Sequence, residues 1–306
     1  MILLTGATGT VGREVGRRLA AAGHPVRLLT RDPARISLRG SQVTAVRGDF
    51  EDRDGLSGAL AGVRAVLLVT TDPLRPEHDA NLLSAAAEAG VAHVVKLSAL
   101  AVTDPLAEDL VTRWQRANEA LLRASGLDWT LLRPRAFMSN SLSWAARIRD
   151  TGTVRALYGT ARNACVDPRD LAEVAVRTLT EPHHRGRTYA LTGPEAISPA
   201  EQAAQLGEVL GRPIAFEEAT VEQTRQQLLR RYPEPVALAL LESALRQANG
   251  AKAAVDDAAV AELTGRPAGT FRQWATDHAA AFSTTAPDTT ASDTAAPGTT
   301  APDRSA

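Results

Sequence analysis

The chain has 306 residues, with 34 basic and 35 acidic side chains and a net charge of −1. A charge this close to neutral lacks the electrostatic footprint of a nucleic-acid binder or of a protein drawn to anionic membranes. No apolar run approaches the roughly 18 residues of a membrane span, so neither nucleic acid nor membrane is an expected partner. A single cysteine, Cys165, excludes an internal disulfide and a cysteine-cluster metal site. No metal is expected either, because His78, His93, His183 and His184 have no ligand partners at useful spacing and read as surface histidines. The first residues read as a core strand rather than a signal peptide, which predicts a soluble, cytoplasmic protein. The length suits one large α/β domain, or a domain with a smaller lobe.

In chain order, Ile2, Leu3 and Leu4 form an apolar run of buried-strand length that stops at glycine. Gly6, Gly9 and Gly12 follow at intervals of three, and a helical pattern with Val15 and Leu19 on one face then runs to Gly23. Val26 to Leu29 returns as a parallel strand. In such a unit the first glycine permits the tight turn, the second admits a pyrophosphate to the backbone, and the third lets helix and strand pack closely. The helix N-terminus offers unpaired N–H groups and the positive end of its dipole to phosphates. Gly6, Thr8, Gly9, Thr10, Val11 and Gly12 are therefore the expected cradle of a dinucleotide. A chain that prefers NAD usually places an acid after the second strand; here Thr30 is followed by Arg31, with Arg35 one turn on. A guanidinium there grips a 2′-phosphate with a forked pair of hydrogen bonds, so the expected cofactor is NADPH. NADH is the alternative if Asp32 reaches the ribose instead.

The strand–helix alternation continues. Val43 to Val46 leads into Gly48-Asp49-Phe50. Leu56 to Leu60 reads as a short helix, and Ala65 to Val69 as a strand ending in Thr70-Thr71. His78 to Ala89 is helical, Val91 to Leu97 is a strand with Ser98 at its carboxyl end, and a helix is predicted from Leu106 to Ala124. Trp129 to Leu132 is the next strand, closed by Arg133-Pro134. This pattern specifies a Rossmann-type, doubly wound parallel sheet over residues 1–135. Ligands of such sheets lie beyond the carboxyl ends of the strands. That rim carries the glycines, Arg31, Asp49, Phe50, Thr70, Thr71 and Ser98.

Past Pro134 the pattern changes. A helix is predicted from Phe137 to Ile148, a short strand at Val154 to Leu157, and a helix over Leu171 to Leu179 capped by Asp167 or Asp170. A late strand is expected at Tyr189 to Gly193. A helix from Ser198 to Leu210, mostly helical stretches to Gly250, and helices at Asp256 to Leu263 and Phe271 to Phe282 complete the pattern. Residues 136–282 read as a smaller α/β substrate lobe interleaved with the core and set over the rim. The Thr/Ala/Pro/Asp tail, 283–306, has nothing to bury and is expected to be disordered.

Thr5-Gly6-Ala7-Thr8-Gly9-Thr10-Val11-Gly12 resembles the fingerprint of extended and atypical short-chain dehydrogenases/reductases. Members that move a proton with the hydride carry a Tyr-x-x-x-Lys helix and a serine on the preceding strand end. Ser98 matches that serine, but Trp114 and Asn118 stand where tyrosine and lysine would fall. Neither can supply the proton at neutral pH. Asn118-Glu119-Ala120-Leu121-Leu122, the stretch Ser125 to Pro134, and Val166 to Ala172 resemble the NmrA-like branch of the atypical group. That resemblance implies either reduction of quinones and azo compounds with NADPH, or redox sensing by a regulator of transcription. It also implies a role like that of proteins in aromatic polyketide pathways, which reduce an anthraquinone to a hydroquinone that then reacts with oxygen.

An isolated ketone needs a proton on oxygen near the transition state, whereas a quinone accepts hydride into a ring that already delocalises the charge. The missing acid therefore predicts reduction of a quinone or related aromatic acceptor, with catalysis mainly by positioning. Oxygen activation and a partner oxygenase are the expected extension, and a non-catalytic redox sensor is the alternative. Phe137, Met138, Asn140 and Trp144 are the expected substrate contacts, although core packing competes for Phe137, Met138 and Trp144. Ser98 is the candidate donor to the substrate or cofactor. Oligomeric state is left open.

Overall fold

The computed structural model describes residues 1–283, so the expectation for the tail from residue 284 onward lies outside the described residues. The first half alternates β1 (Ile2–Leu4), α1 (Thr10–Ala21), β2 (Val26–Thr30), β3 (Val43–Arg47), α2 (Arg53–Leu60), β4 (Ala65–Leu68), α3 (Glu77–Glu88), β5 (His93–Leu97), α4 (Leu110–Ala124) and β6 (Asp128–Pro134). The second half adds α5 (Ala145–Thr151), β7 (Thr153–Ala156), α6 (Pro168–Thr180), β8 (Arg187–Leu191), α7 (Pro199–Leu210) and β9 (Ala215–Glu218). Helices α8 (Val221–Leu229), α9 (Glu234–Ala248), α10 (Ala258–Thr264), α11 (Phe271–Asp277) and α12 (Ala279–Phe282) complete it.

Seven strands form one sheet in the order β3-β2-β1-β4-β5-β6-β8, every pair parallel. Strand order reverses between β1 and β4, the switch point where open α/β sheets bind ligands. Successive residues of a strand face opposite sides. Leu4 and Leu67 thus enter the apolar layer shared with α1 and α6, while Leu3 and Val66 enter the layer under α2, α3 and α4. Burial on both faces explains why β1 and β4 read as unbroken apolar runs.

Two elements from late in the chain, α6 and β8, return to this sheet. β8 pairs with β6, and α6 lies beside α1, where Arg18 meets Glu173 at 3.3 Å. A third apolar core that includes Met138, Ile148, Leu206, Phe271 and Trp274 gathers α5, α7, α11 and α12, with β7 and β9 pairing in parallel beside it. Of the other helices, α10 packs on α6 and β8, and α9 on α4 and α8. No helix among the described residues is long and apolar enough to cross a membrane.

Several element boundaries differ from the sequence expectation. The stretch expected to be mostly helical from Phe216 opens in β9, the helix expected over Phe271 to Phe282 is divided into α11 and α12, and the strand expected at Tyr189 to Gly193 is shifted to Arg187–Leu191. Two further differences have a local cause. The helix predicted from Leu106 begins at Leu110, because the Asp109 carboxylate caps it by accepting from the Thr112 N–H at 3.0 Å. The helix predicted over Phe137–Ile148 is a 3-10 turn over Met138–Trp144 followed by α5. Here Ser141 and Ser143 hydroxyls bond the carbonyls of Met138 and Asn140, at 2.7 and 2.8 Å, in competition with α-helical pairing.

Candidate functional site

The glycine corner is a backbone construction. Gly6 has φ +61°, and its carbonyl accepts the Gly9 N–H at 2.9 Å. A Cβ on Gly12 would sit 2.3 Å from that same carbonyl oxygen, so helix and turn meet only because Gly12 has no side chain. α1 starts from Gly9 with no side-chain cap and no acid in its first turn, which leaves its N–H groups directed at whatever lies beyond. The Thr5 hydroxyl accepts the Val69 N–H at 2.7 Å and ties the ends of β1 and β4 together at the switch point.

Beside the corner opens a cleft of about 490 Å³ that brings together Gly6, Thr8, Arg31, Asp49, Phe50, Thr70 and Thr71. Gly12 lines a smaller adjoining hollow with Thr8, Arg13, Arg35 and Ser37. Gly9 and Thr10 are exposed at the helix start, whereas the Val11 side chain is in the core and only its backbone faces outward. Arg31 is exposed and, among the described residues, neither it nor Arg35 is held in an ion pair. Asp32 is turned away: its carboxylate accepts the Ala34 N–H at 3.0 Å and caps a short turn.

Thr70 is anchored from behind by Asp79, which accepts its hydroxyl at 2.6 Å and is itself paired at 2.6 Å with the fully buried Lys96. Phe50 stacks on His78 with ring centroids 5.2 Å apart, and both line the cleft. Tyr232, Pro233 and Val236, from the start of α9, close the cleft from the lobe side. Sequence reasoning missed them because nothing local marks a residue that reaches a site built by the other half of the chain.

The β5–β6 end of the rim is different. Ser98 does not line the cleft. It is 5% exposed, and its hydroxyl donates to Glu119 at 2.6 Å. Glu119 also receives Arg133 through both oxygens, at 2.8 and 2.5 Å. Burial raises the Glu119 pKa, but the Arg133 and Ser98 hydrogen bonds outweigh it and hold the carboxyl below its ordinary range. Trp114 and Asn118 are buried on α4, and Trp114 stacks over the Lys96 ammonium at 5.8 Å. Among the described residues Trp114 Nε1 and Asn118 Nδ2 have no partner, and neither group is an acid at neutral pH.

The expected substrate contacts do not converge on the cleft. Phe137 packs partly buried against the sheet core, Met138 is 2% exposed inside the lobe core, and Trp144 rests on that same core. Asn140 is exposed. Two histidines expected on the surface are buried. The His93 ring lies 2.9 Å from the Thr130 hydroxyl, with burial holding its pKa down at about 4. His184 contacts the Tyr189 hydroxyl at 2.7 Å, because β8 brings Tyr189 over it. His184 also falls within 4.8 Å of ligand atoms on Glu181 and His183.

A dinucleotide fits this arrangement: an uncapped helix N-terminus, a glycine that leaves room for phosphate, and an unpaired guanidinium at the end of β2. The profile of the family described as NAD(P)H-binding matches residues 6–182. The chain belongs to that family. Its resemblance to the NmrA-like, atypical short-chain reductases agrees with this membership. It is 58% identical to a (4-alkanoyl-5-oxo-2,5-dihydrofuran-3-yl)methyl phosphate reductase of Streptomyces griseus, over 92% of this chain and 99% of the relative. It is 39% identical to an NAD(P)H azoreductase of Xenophilus azovorans, again over 92% and 99%. Among solved structures it is similar to an Escherichia coli NADPH-dependent quinone oxidoreductase in complex with NADPH. That similarity has a TM-score of 0.79 and 26% identity, covering 91% of this chain and 99% of the other.

Proposed function

We propose that this NAD(P)H-dependent oxidoreductase prefers NADPH and reduces a conjugated, electron-poor acceptor, with a furanone phosphate of the kind named for the Streptomyces griseus relative as the leading substrate. Quinones and azo compounds are secondary substrates on the same chemistry. The observation that carries this reading is the spent proton at Ser98: its hydroxyl is given to Glu119, and Trp114 and Asn118 occupy the positions of the family's acid and its lysine.

NADPH held there would supply the hydride, ending as NADP⁺, and one proton from water would balance the reaction. In such a furanone the ring double bond is conjugated to two carbonyls, the lactone and the alkanoyl group. Hydride arriving at the ring carbon that bears the phosphomethyl arm leaves its negative charge shared between those carbonyls. Water can protonate that anion afterwards, so the protein need only hold the reactants together and exclude misplaced ones. An isolated ketone has no such sink and would wait for an acid the site lacks.

For the cofactor, the glycine corner takes the pyrophosphate, and Arg31, with Arg35 beyond it, takes the 2′-phosphate. Thr70, Thr71, Asp49 and Phe50 line the bed of the adenosine half. Residues 136–282, interleaved with the core through α6 and β8, serve as the substrate lobe set over the rim. Extension to aromatic polyketide quinones, with oxygen activation and a partner oxygenase, would follow if the reduced product reacts with oxygen.

The test is NADPH oxidation against a panel of an alkanoyl furanone phosphate, naphtho- and anthraquinones, an azo dye and an isolated cyclic ketone. Turnover of the conjugated members and none of the ketone is expected. Turnover of the ketone would require an acid and overturn the reading. Tight NADPH binding with no turnover of any member would make the chain a redox sensor.

A further inference from the structure

We infer that Arg135 and Lys252 form a seat for the phosphate monoester of the substrate, beside the point of hydride transfer. The inference rests on the reading of the site as a reductase of a furanone phosphate, and it assigns the group that recognises the phosphate.

Four segments are laced together just past the end of β6. The Arg135 N–H donates to the Leu191 carbonyl at 2.8 Å, and the Val166 N–H to the Ala136 carbonyl at 2.9 Å. The Ala164 N–H donates to the Lys252 carbonyl at 3.1 Å, and the Asp256 N–H to the Thr192 hydroxyl at 2.8 Å. The crossing is tight: a Cβ on Gly193 would lie 2.2 Å from the Cys165 carbonyl oxygen. Arg135, Cys165 and Lys252 are thereby brought to one place on the rim.

The charges gathered there do not cancel. Two residues before Arg135, Arg133 is paired with Glu119 through Nε and Nη2. Arg135 is half-buried, and among the described residues its Nε has no partner and no carboxylate lies within ion-pair distance of it. The groups whose negative form would favour its charge are Asp104 and the Cys165 thiol. Lys252 is one of only two lysines in the sequence, and among the described residues its ammonium bonds only the Ser243 hydroxyl, at 2.7 Å. The groups facing Lys252 are Arg246, Arg135, Cys165 and Asp109. Asp109 is already paired with Arg246 at 2.6 Å, and burial pushes the Cys165 thiol up to about 11, which leaves it neutral. Burial, then the charges of Arg246 and Arg135, pull Lys252 down to about 8. Two half-buried cations without a counter-ion carry a desolvation penalty that a bound dianion would offset.

The location suits the substrate. A dinucleotide whose pyrophosphate lies on the Gly6–Gly12 corner crosses the sheet at β1/β4, with adenosine over β2 and β3. Its nicotinamide end then falls toward β5 and β6, where Arg135 begins. The phosphate of the furanone is one methylene away from the hydride-accepting carbon, so its anchor must stand beside that end. A guanidinium fork with an ammonium is the pairing that phosphate favours.

The test compares the furanone phosphate with its dephosphorylated alcohol in the full-length protein, by kcat/KM with NADPH and by calorimetric titration of the NADP⁺-loaded protein with inorganic phosphate. Arg135→Gln and Lys252→Met should each lower the ester-to-alcohol ratio of kcat/KM by about 10- to 100-fold, mainly through KM. Both should abolish the phosphate heat, and Arg135→Lys should restore part of it. In the wild type the KM for the ester should rise above about pH 8, as Lys252 loses its proton, and this rise should vanish in Lys252→Met. An unchanged ratio, or equal losses for ester and alcohol, overturns the seat. If phosphate titrates to the wild type and not to the variants while neither furanone is turned over, the seat stands and the reductase reading falls.

Discussion

On the β1–β2 side of the rim the site is made of backbone: a positive φ at Gly6, an uncapped helix and a missing Cβ at Gly12. On the β5–β6 side it is made of side chains, where Ser98, Glu119 and Arg133 satisfy one another in a buried network. The first side leaves donors free and the second consumes them. Binding a dinucleotide needs the free donors at one end, whereas a reaction that borrows its proton from water tolerates a closed network at the other. Trp114 Nε1, Asn118 Nδ2 and Arg135 Nε are the exceptions among the described residues of that side, and of these only Arg135 carries a charge, which is what makes it informative.

The contrast can be broken at either end. The largest effect should come from Gly12→Val. Its Cβ would lie 2.3 Å from a backbone oxygen that has no rotamer to move into, so the corner must open. A loss of about 4 kcal/mol or more in stability is expected, with NADPH no longer retained in a fluorescence titration. Wild-type affinity in this variant would show that the corner does not hold the cofactor.

Glu119→Gln attacks the other side. It leaves Arg133 half-buried without its charge partner, and about 3 kcal/mol should be lost in urea denaturation near neutral pH. The folded pKa of Glu119 is depressed, so its contribution is fully present above the unfolded value and fades as pH falls through the folded one. The gap between wild type and variant should therefore stay constant above the ordinary glutamate value of about 4.3 and narrow progressively as pH falls below it. A gap that does not narrow on acidification would mean the Glu119 charge is not what holds the network.

The same contrast explains what could be read without coordinates. The glycine corner, the parallel order and the rim positions of Arg31, Asp49, Thr70 and Thr71 follow from short-range pattern, because each lies within a few residues of a strand end. The return of β8 and α6 to the main sheet required a long-range pairing of Leu132 with Tyr189 that no local signal carries. Likewise Tyr232 and Val236 reach the cleft from the lobe, and the apolar character of Met138 served the lobe core rather than a ligand. The position of His184 likewise depends on β6, whose Thr130 hydroxyl donates to the His184 carbonyl at 2.7 Å from 54 residues away.

Arg31→Ser sharpens the comparison within the backbone-built side. A lost pair of charge-assisted hydrogen bonds is worth about 1.5–3 kcal/mol, so the KM for NADPH should rise about 10- to 100-fold while that for NADH barely moves. Equal changes for both cofactors would place the 2′-phosphate elsewhere, with Arg13 and Arg35 in the adjoining hollow as the next positions to substitute.

The smallest effect is expected at the residue that resemblance alone marks for chemistry. The Ser98 hydroxyl has one proton, and Glu119 takes it at 2.6 Å in a site where the serine is 5% exposed. To serve an acceptor it would have to abandon a carboxylate for a neutral carbonyl, an exchange of a stronger hydrogen bond for a weaker one. Ser98→Ala should therefore cost about 1.5 kcal/mol in stability and change kcat with a furanone or quinone by less than about threefold. A fall of two orders of magnitude in kcat, at unchanged stability, would mean that the network opens when both reactants are bound and that the closed side of the rim supplies a donor after all.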